Sequence, residues 1–447
     1  MAAALAMVPA GLPAHGVGNR QDLPLPFAAL VTAAVAVLVI SFVVLAALWR
    51  QPRLRPGDGV LLPRWAAAAL DAPALRVTAR AVIVALTLWV ALALVAGADT
   101  ARNPVPSVVY VWLWVGVAFA SMALGPVWRV VNPLRLLHAG LLRLARVDPD
   151  LALLPYRGGL WPAAAGLAAF TWVELVADDN TSLPFLRVVV LAFVAATVLG
   201  SAVFGRAWFE RADPFEAWSR LLGLLSPLGR RDDGRWVLRS PLHGVNELRG
   251  QAGLVPLVSV MLGSTAYDGF TGNLSWATFV QQAPVPAPAL ESATLLGFFL
   301  VVGASLALAA AVSARLAGLP SGAWPALTSD LAPSLVPIAA GYVVAHYWSL
   351  WVYQGQLTLA LLSNPFGAGD DVLGLAGLRP DATLIRPTLV ATIQAVSIVS
   401  GHLLGVLAAH ERAVTVLPRR AAVVGQAPLV VVMVGYTLGG LTLLFSP

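Results

Sequence analysis

Residues 26–49 read PFAALVTAAVAVLVISFVVLAALW, without one charged side chain, and Arg50, Arg53 and Arg55 follow at once. A helix rises 1.5 Å per residue, so about 20 apolar residues cross the ~30 Å hydrocarbon core of a bilayer. This run is long enough, and it recurs. Apolar spans lie near 26–49, 80–98, 106–125, 159–177, 184–204, 253–270, 293–316, 333–361, 387–409 and 427–445. A backbone in hydrocarbon must satisfy its own polar groups, which helices do within one segment. The expected fold is therefore all-α: a polytopic bundle of about ten transmembrane helices, forming one integral domain from 26 to 447. Residues 1–25 are an outer N-terminal segment.

Composition agrees. Of 447 residues, 59% are hydrophobic and 11% charged, where a soluble domain carries roughly 25% charge. That excludes a soluble enzyme and a nucleic-acid binder built on basic patches; the partner expected is the lipid bilayer. All 28 basic residues are Arg, so no lysine can serve as base or Schiff-base former. No cysteine is present, which excludes disulfides, thiolate metal sites and cysteine nucleophiles.

Arg placement sets the expected orientation. With the N-terminus outside, 23 of the 28 Arg fall in inner segments; only Arg20, Arg102, Arg187, Arg379 and Arg386 stay outside. Basic loops remain on the cytoplasmic side, so the chain reads as a plasma-membrane protein with both termini outside. Two inner segments look alike. WRVVNPLRLLHAGLLRLARVD starts at Trp128, and WFERADPFEAWSRLLGLLSPLGRR starts at Trp208. Each follows a Gly three residues earlier, Gly125 or Gly205. Asn132 and Asp213 are expected N-caps, with Pro133 and Pro214 at the first helical position. The helices that follow are expected to lie in the inner interface, Leu toward lipid and Arg toward headgroups. The parallel suggests an internal duplication.

Chemistry must come from few side chains. The six His are His15, His138, His243, His346, His402 and His410. An ionisable group inside a span is costly and marks a partner or a function. His346 and His402 sit inside consecutive spans, and antiparallel neighbours can bring two imidazoles face to face. Such a pair can ligate a divalent transition metal or the axial positions of a haem. Asp268, in GSTAYDGFTGN, and Gln354, beyond His346, are the candidate catalytic groups, together lining a polar cavity that opens outward. Glu174, in TWVELVADDN, also lies near the outer interface. The competing readings are structural: membrane His residues can glue helices by bonding a Ser or a carbonyl, aromatics such as Tyr347 can simply pack, and carboxylates at helix ends can be solvated. His410 lies ~12 Å along the helix from His402, too far to share one ion with it. Residues 1–14 end in LPAHG. Cleavage after Ala14 would expose His15, whose amine and imidazole are a candidate metal site, although the segment lacks the basic start of a signal peptide.

Three stretches carry a resemblance: AHGVGNRQDLPLP (Ala14 to Pro26), AHYWSLWVYQGQ (Ala345 to Gln356) and GHLLGVLAAHERA (Gly401 to Ala413). Together they resemble actinobacterial multi-pass membrane proteins described as fenitrothion hydrolase-like. The resemblance implies hydrolysis of a small lipophilic organophosphorus ester. Such chemistry typically uses a metal-bound water, for which His346, His402 and Asp268 are the available donors. No HExxH, Walker or GxSxG motif accompanies it. The alternatives are a transporter, for which Pro333, Pro337 and Gly341 ahead of His346 suggest a broken helix, and a non-catalytic scaffold subunit of a membrane complex.

Overall fold

The computed structural model describes residues 22–55, 57–148 and 151–445. The fold is all-α, and eight helices are long and apolar enough to cross a membrane. Twelve helices organise the described chain. They are α1 (Phe27–Leu48), α2 (Arg64–Ala96), α3 (Val105–Leu124), α4 (Pro133–Leu144), α5 (Trp161–Leu175), α6 (Leu183–Phe204), α7 (Pro214–Gly223), α8 (Leu254–Thr271), α9 (Ala287–Leu316), α10 (Trp324–Leu362), α11 (Pro387–Val416) and α12 (Ala422–Leu444). Lipid-length helices such as α1 and α2 leave most of their apolar surface exposed, which is what a lipid-facing helix needs.

The expected spans near 159–177 and 253–270 form α5 and α8, which are not among those eight. α5 has only 15 residues. α8 has 18, but Ser, Thr, Tyr and Asp dilute its apolar character. Its position explains the tolerance: α8 packs against α5, α9, α10 and α12, and twelve of its residues are buried. A helix wrapped by protein can carry polar groups if they find partners within the bundle.

α10 is the other central helix. It is interrupted by a 3-10 turn over Ala332–Leu335, where Pro333 and Pro337 each remove a backbone donor. α10 and α11 then cross at two glycines. A methyl on Gly341 would lie 2.5 Å from the Ser397 carbonyl oxygen and 3.0 Å from the Gly401 Cα. No side chain fits there, so the two backbones meet directly. On the opposite side α3 faces α10, and its residues Val108–Gly116 are π-helical. There Trp112 Nε1 donates to the Gly355 carbonyl at 3.1 Å. π-Helical turns are uncommon and concentrate at functional sites.

The paired inner motifs fold in parallel. Gly125 and Gly205 both take positive φ, 91° and 60°, ending α3 and α6. Asn132 and Asp213 both cap: each side chain accepts two backbone N–H groups of the helix it starts. The two caps also meet, Asn132 Nδ2 donating to Asp213 Oδ2 at 2.8 Å. Beyond the caps the helices diverge. α4 buries no residue, as an interfacial helix would. α7 buries nine of its ten and is drawn into the bundle, where Trp218 stacks on Trp114 at 4.2 Å. The large apolar Phe215 and Trp218 explain the difference, since α4 offers only Leu, Ala, Gly and His on its apolar face.

A three-stranded antiparallel sheet, order β1-β3-β2, lies on the Arg-rich side. Its strands are β1 (Val60–Leu61), β2 (Leu228–Arg230) and β3 (Trp236–Leu238). Strands this short carry no readable alternation in the sequence. They pin the loop after α1 to the loop after α7, with Val60 opposite Leu238 and Gly229 opposite Val237.

Candidate functional site

Two central helices supply the site. Asp268 lies near the C-terminal end of α8, three residues before its last helical position. His346 lies eleven residues into the regular helix that starts at Val336. Where α8 packs on α10, His346 Nε2 lies 2.9 Å from Asp268 Oδ2. Tyr347 donates its hydroxyl to the same carboxylate oxygen at 2.8 Å. All three are within 3% of full burial. Tyr342, one turn before His346, lies nearly parallel to the imidazole with ring centroids 6.1 Å apart. A methyl on Gly269 would come within 2.3 Å of the Tyr342 hydroxyl, so a glycine next to Asp268 lets the phenol reach α8.

The geometry assigns roles. A carboxylate can only accept, so Asp268 takes the O–H of Tyr347 and faces His346 Nε2 as the counter-ion of a protonated ring. Other polar groups converge from α5, α8, α10 and α11. Glu174 on α5 is close enough for its charge and that of Asp268 to oppose each other. Its Oε2, the Tyr267 and Tyr342 hydroxyls and His402 Nε2 are buried, with no hydrogen-bond partner among the described residues. Buried polar atoms in native proteins are nearly always satisfied by protein or water.

Of the candidates expected from the sequence, Asp268 and His346 come together directly. His402 does not join them. Its Nδ1 donates to the Ile398 carbonyl at 2.8 Å, a bond within its own helix. The Gly341–Gly401 crossing explains this. His402 sits at the crossing and His346 five residues beyond it, an axial stagger of roughly 9 Å. Metal–imidazole bonds are ~2 Å, so the two rings do not share an ion. Among the described residues no group of three or more His, Asp or Glu could hold a metal, and the metal centre expected of His346, His402 and Asp268 is not assembled. Bis-imidazole haem ligation fares no better, because His346 Nε2 is turned to Asp268. Gln354 is half-buried on α10, about 12 Å along the helix from His346, and stands apart from the pair. His15 lies outside the described residues.

Tyr347 was legible only as one aromatic among several; its adjacency to His346 gives no hint that both side chains reach one carboxylate. Glu174 read as a solvated helix end, because the sequence does not show that α5 leans on α8. Set against protein-family models, curated proteins and solved structures, the chain matches none of them.

Proposed function

We propose that the protein is a proton-linked membrane transporter whose protonation site is His346 paired with Asp268. The observation that carries this reading is the buried Asp268–His346–Tyr347 constellation on two central helices. With the ring protonated, the imidazolium and carboxylate form a neutral pair. When the ring loses its proton, a net negative charge remains in a low-dielectric interior, which is costly without compensation. A cationic solute, or a second proton, supplies that compensation, and release of the proton is thereby coupled to solute entry. The break in α10 supports the same reading, since discontinuous helices mark transport sites near the bilayer midplane. Arg asymmetry supports a reading with the Arg-rich face in the cytoplasm of a plasma membrane.

The test is a pH-sensitive dye inside vesicles reconstituted with the protein. Proton movement driven by a gradient of a cationic solute is expected, lost in His346→Ala and Asp268→Asn variants that still elute as monodisperse protein. Absence of any such flux with a panel of cations overturns the proposal.

A second reading is ester hydrolysis. It rests on the resemblance to fenitrothion hydrolase-like proteins and on the His–Asp pair, which is how a general base is oriented. The base would act on a water beside the His346 ring. Release of nitrophenol from a lipophilic nitrophenyl phosphate triester by the purified protein, dependent on His346 and without solute flux, would exchange the two readings.

A further inference from the structure

Away from the buried pair, on the Arg-rich side, a cavity of about 290 Å³ opens between α4 and α6. Leu134, Leu141 and Leu142 of α4 form one wall, Val198 and Ala202 of α6 the other, and Phe209 lies against it. α4 has a strongly one-sided pattern of Leu and Arg, yet buries none of its residues. Protein therefore covers its Leu face only in part; Leu137 is 51% and Leu141 56% exposed. Apolar walls of this kind do not favour water. His138 also lines the cavity, and burial, with the nearby Arg135 charge, holds its imidazole below the ordinary value; a neutral ring suits an apolar wall. At the end of α4, Arg143 and Arg146 are exposed, with no acidic partner among the described residues. An apolar slot whose wall helix ends in two exposed guanidinium groups, without an acidic partner among the described residues, suits a phospholipid with an anionic headgroup at the edge of a membrane-spanning bundle.

We infer that this cavity is a site for one anionic phospholipid, an acyl chain seated between α4 and α6 and the phosphate on Arg143 and Arg146. The chain fills the gap that α4 leaves against α6 and holds that interfacial helix to the bundle. The inference is independent of the transport reading, because it involves neither Asp268 nor His346.

Native mass spectrometry of the detergent-purified protein tests it, with phosphatidylglycerol and phosphatidylcholine of identical acyl chains as probes. One phosphatidylglycerol per chain is expected to be retained, roughly 25-fold tighter than phosphatidylcholine if each Arg contributes the usual surface attraction. Ala202→Trp fills the cavity and should abolish retention of both lipids. Arg143→Gln with Arg146→Gln changes only exposed side chains and should bring phosphatidylglycerol down to the level of phosphatidylcholine. Equal retention of the two lipids by the unaltered protein, or retention indifferent to both variants, overturns the inference. So does binding of several lipids with no one-to-one species.

Discussion

Glu216 sits in the first turn of α7 with 3% of its surface exposed, 3.4 Å from the Arg135 guanidinium. Burial pushes its carboxyl up from 4.5 to about 7, and Arg135 only partly opposes this. The folded chain therefore binds this proton more tightly than the unfolded chain does. Stability from this group is complete below the unfolded value and is lost as pH rises through about 7, at about 1.4 kcal/mol per unit of difference. The melting temperature in detergent should fall between about pH 5 and about pH 8. Glu216→Gln should flatten that slope; an unchanged slope would place the titration elsewhere. At the candidate site, Tyr347→Phe deletes one donor to Asp268. A hydrogen bond to a charged group is worth about 1.5–3 kcal/mol, so the variant should lose stability of that order while keeping the fold. Proton flux in vesicles should change its pH profile rather than merely its maximum, which a packing role for the ring would not produce. Little of this was readable in the chain. Asp268 and His346 stood out as ionisable groups in apolar surroundings, but their pairing depends on a contact between residues 78 positions apart.

At the scale of elements, the C-terminal end of α11 acts as a clasp. Glu411 is fully buried and accepts from Trp49 Nε1, the Arg53 N–H and the Leu54 N–H, all within 2.8 Å. His410, beside it, bonds the Trp49 carbonyl at 2.7 Å and Gln426 at 2.9 Å. Together they tie the exit of α1 and the start of α12 to α11. Removing the carboxylate takes the acceptor from three part-buried donors at once, each bond worth about 0.5–1.5 kcal/mol or more to a charged group. Glu411→Ala should therefore speed hydrogen exchange over 49–54 well before the rest of the bundle opens. Exchange there at the rate of the unaltered protein would show that the sheet alone holds the loop. The crossing of α10 and α11 is the less forgiving contact. Gly401→Leu places atoms where the Pro337 carbonyl already stands, 2.7 Å from a Cβ. The helices must separate, and overpacking of this kind costs about 1–3 kcal/mol or more. The caps were legible in advance because Asn-Pro and Asp-Pro are local signals. The burial of α7 was not, since it depends on the fit of Phe215 and Trp218 into a neighbouring surface.

At the scale of the whole molecule, Arg placement predicts which face is cytoplasmic. The chain has no cysteine, so single cysteines can be introduced without background. A cysteine at Arg143 should resist an impermeant maleimide added to intact cells, and one at Asp178 should react; the reverse pattern would invert the orientation. The sequence by itself determined that the chain is helical and membrane-embedded, because length and apolar content are properties of single segments in contact with lipid. It also marked the caps and helix-ending glycines, whose physics is confined to a few neighbouring residues. The tertiary structure alone decided that α8 is sheathed by protein, which is why a polar helix can stand at the centre of the bundle. It alone decided that His346 takes Asp268 as its partner while His402 turns to its own backbone. Those outcomes follow from the register of two helices meeting at Gly341 and Gly401, and register is fixed by packing between distant segments.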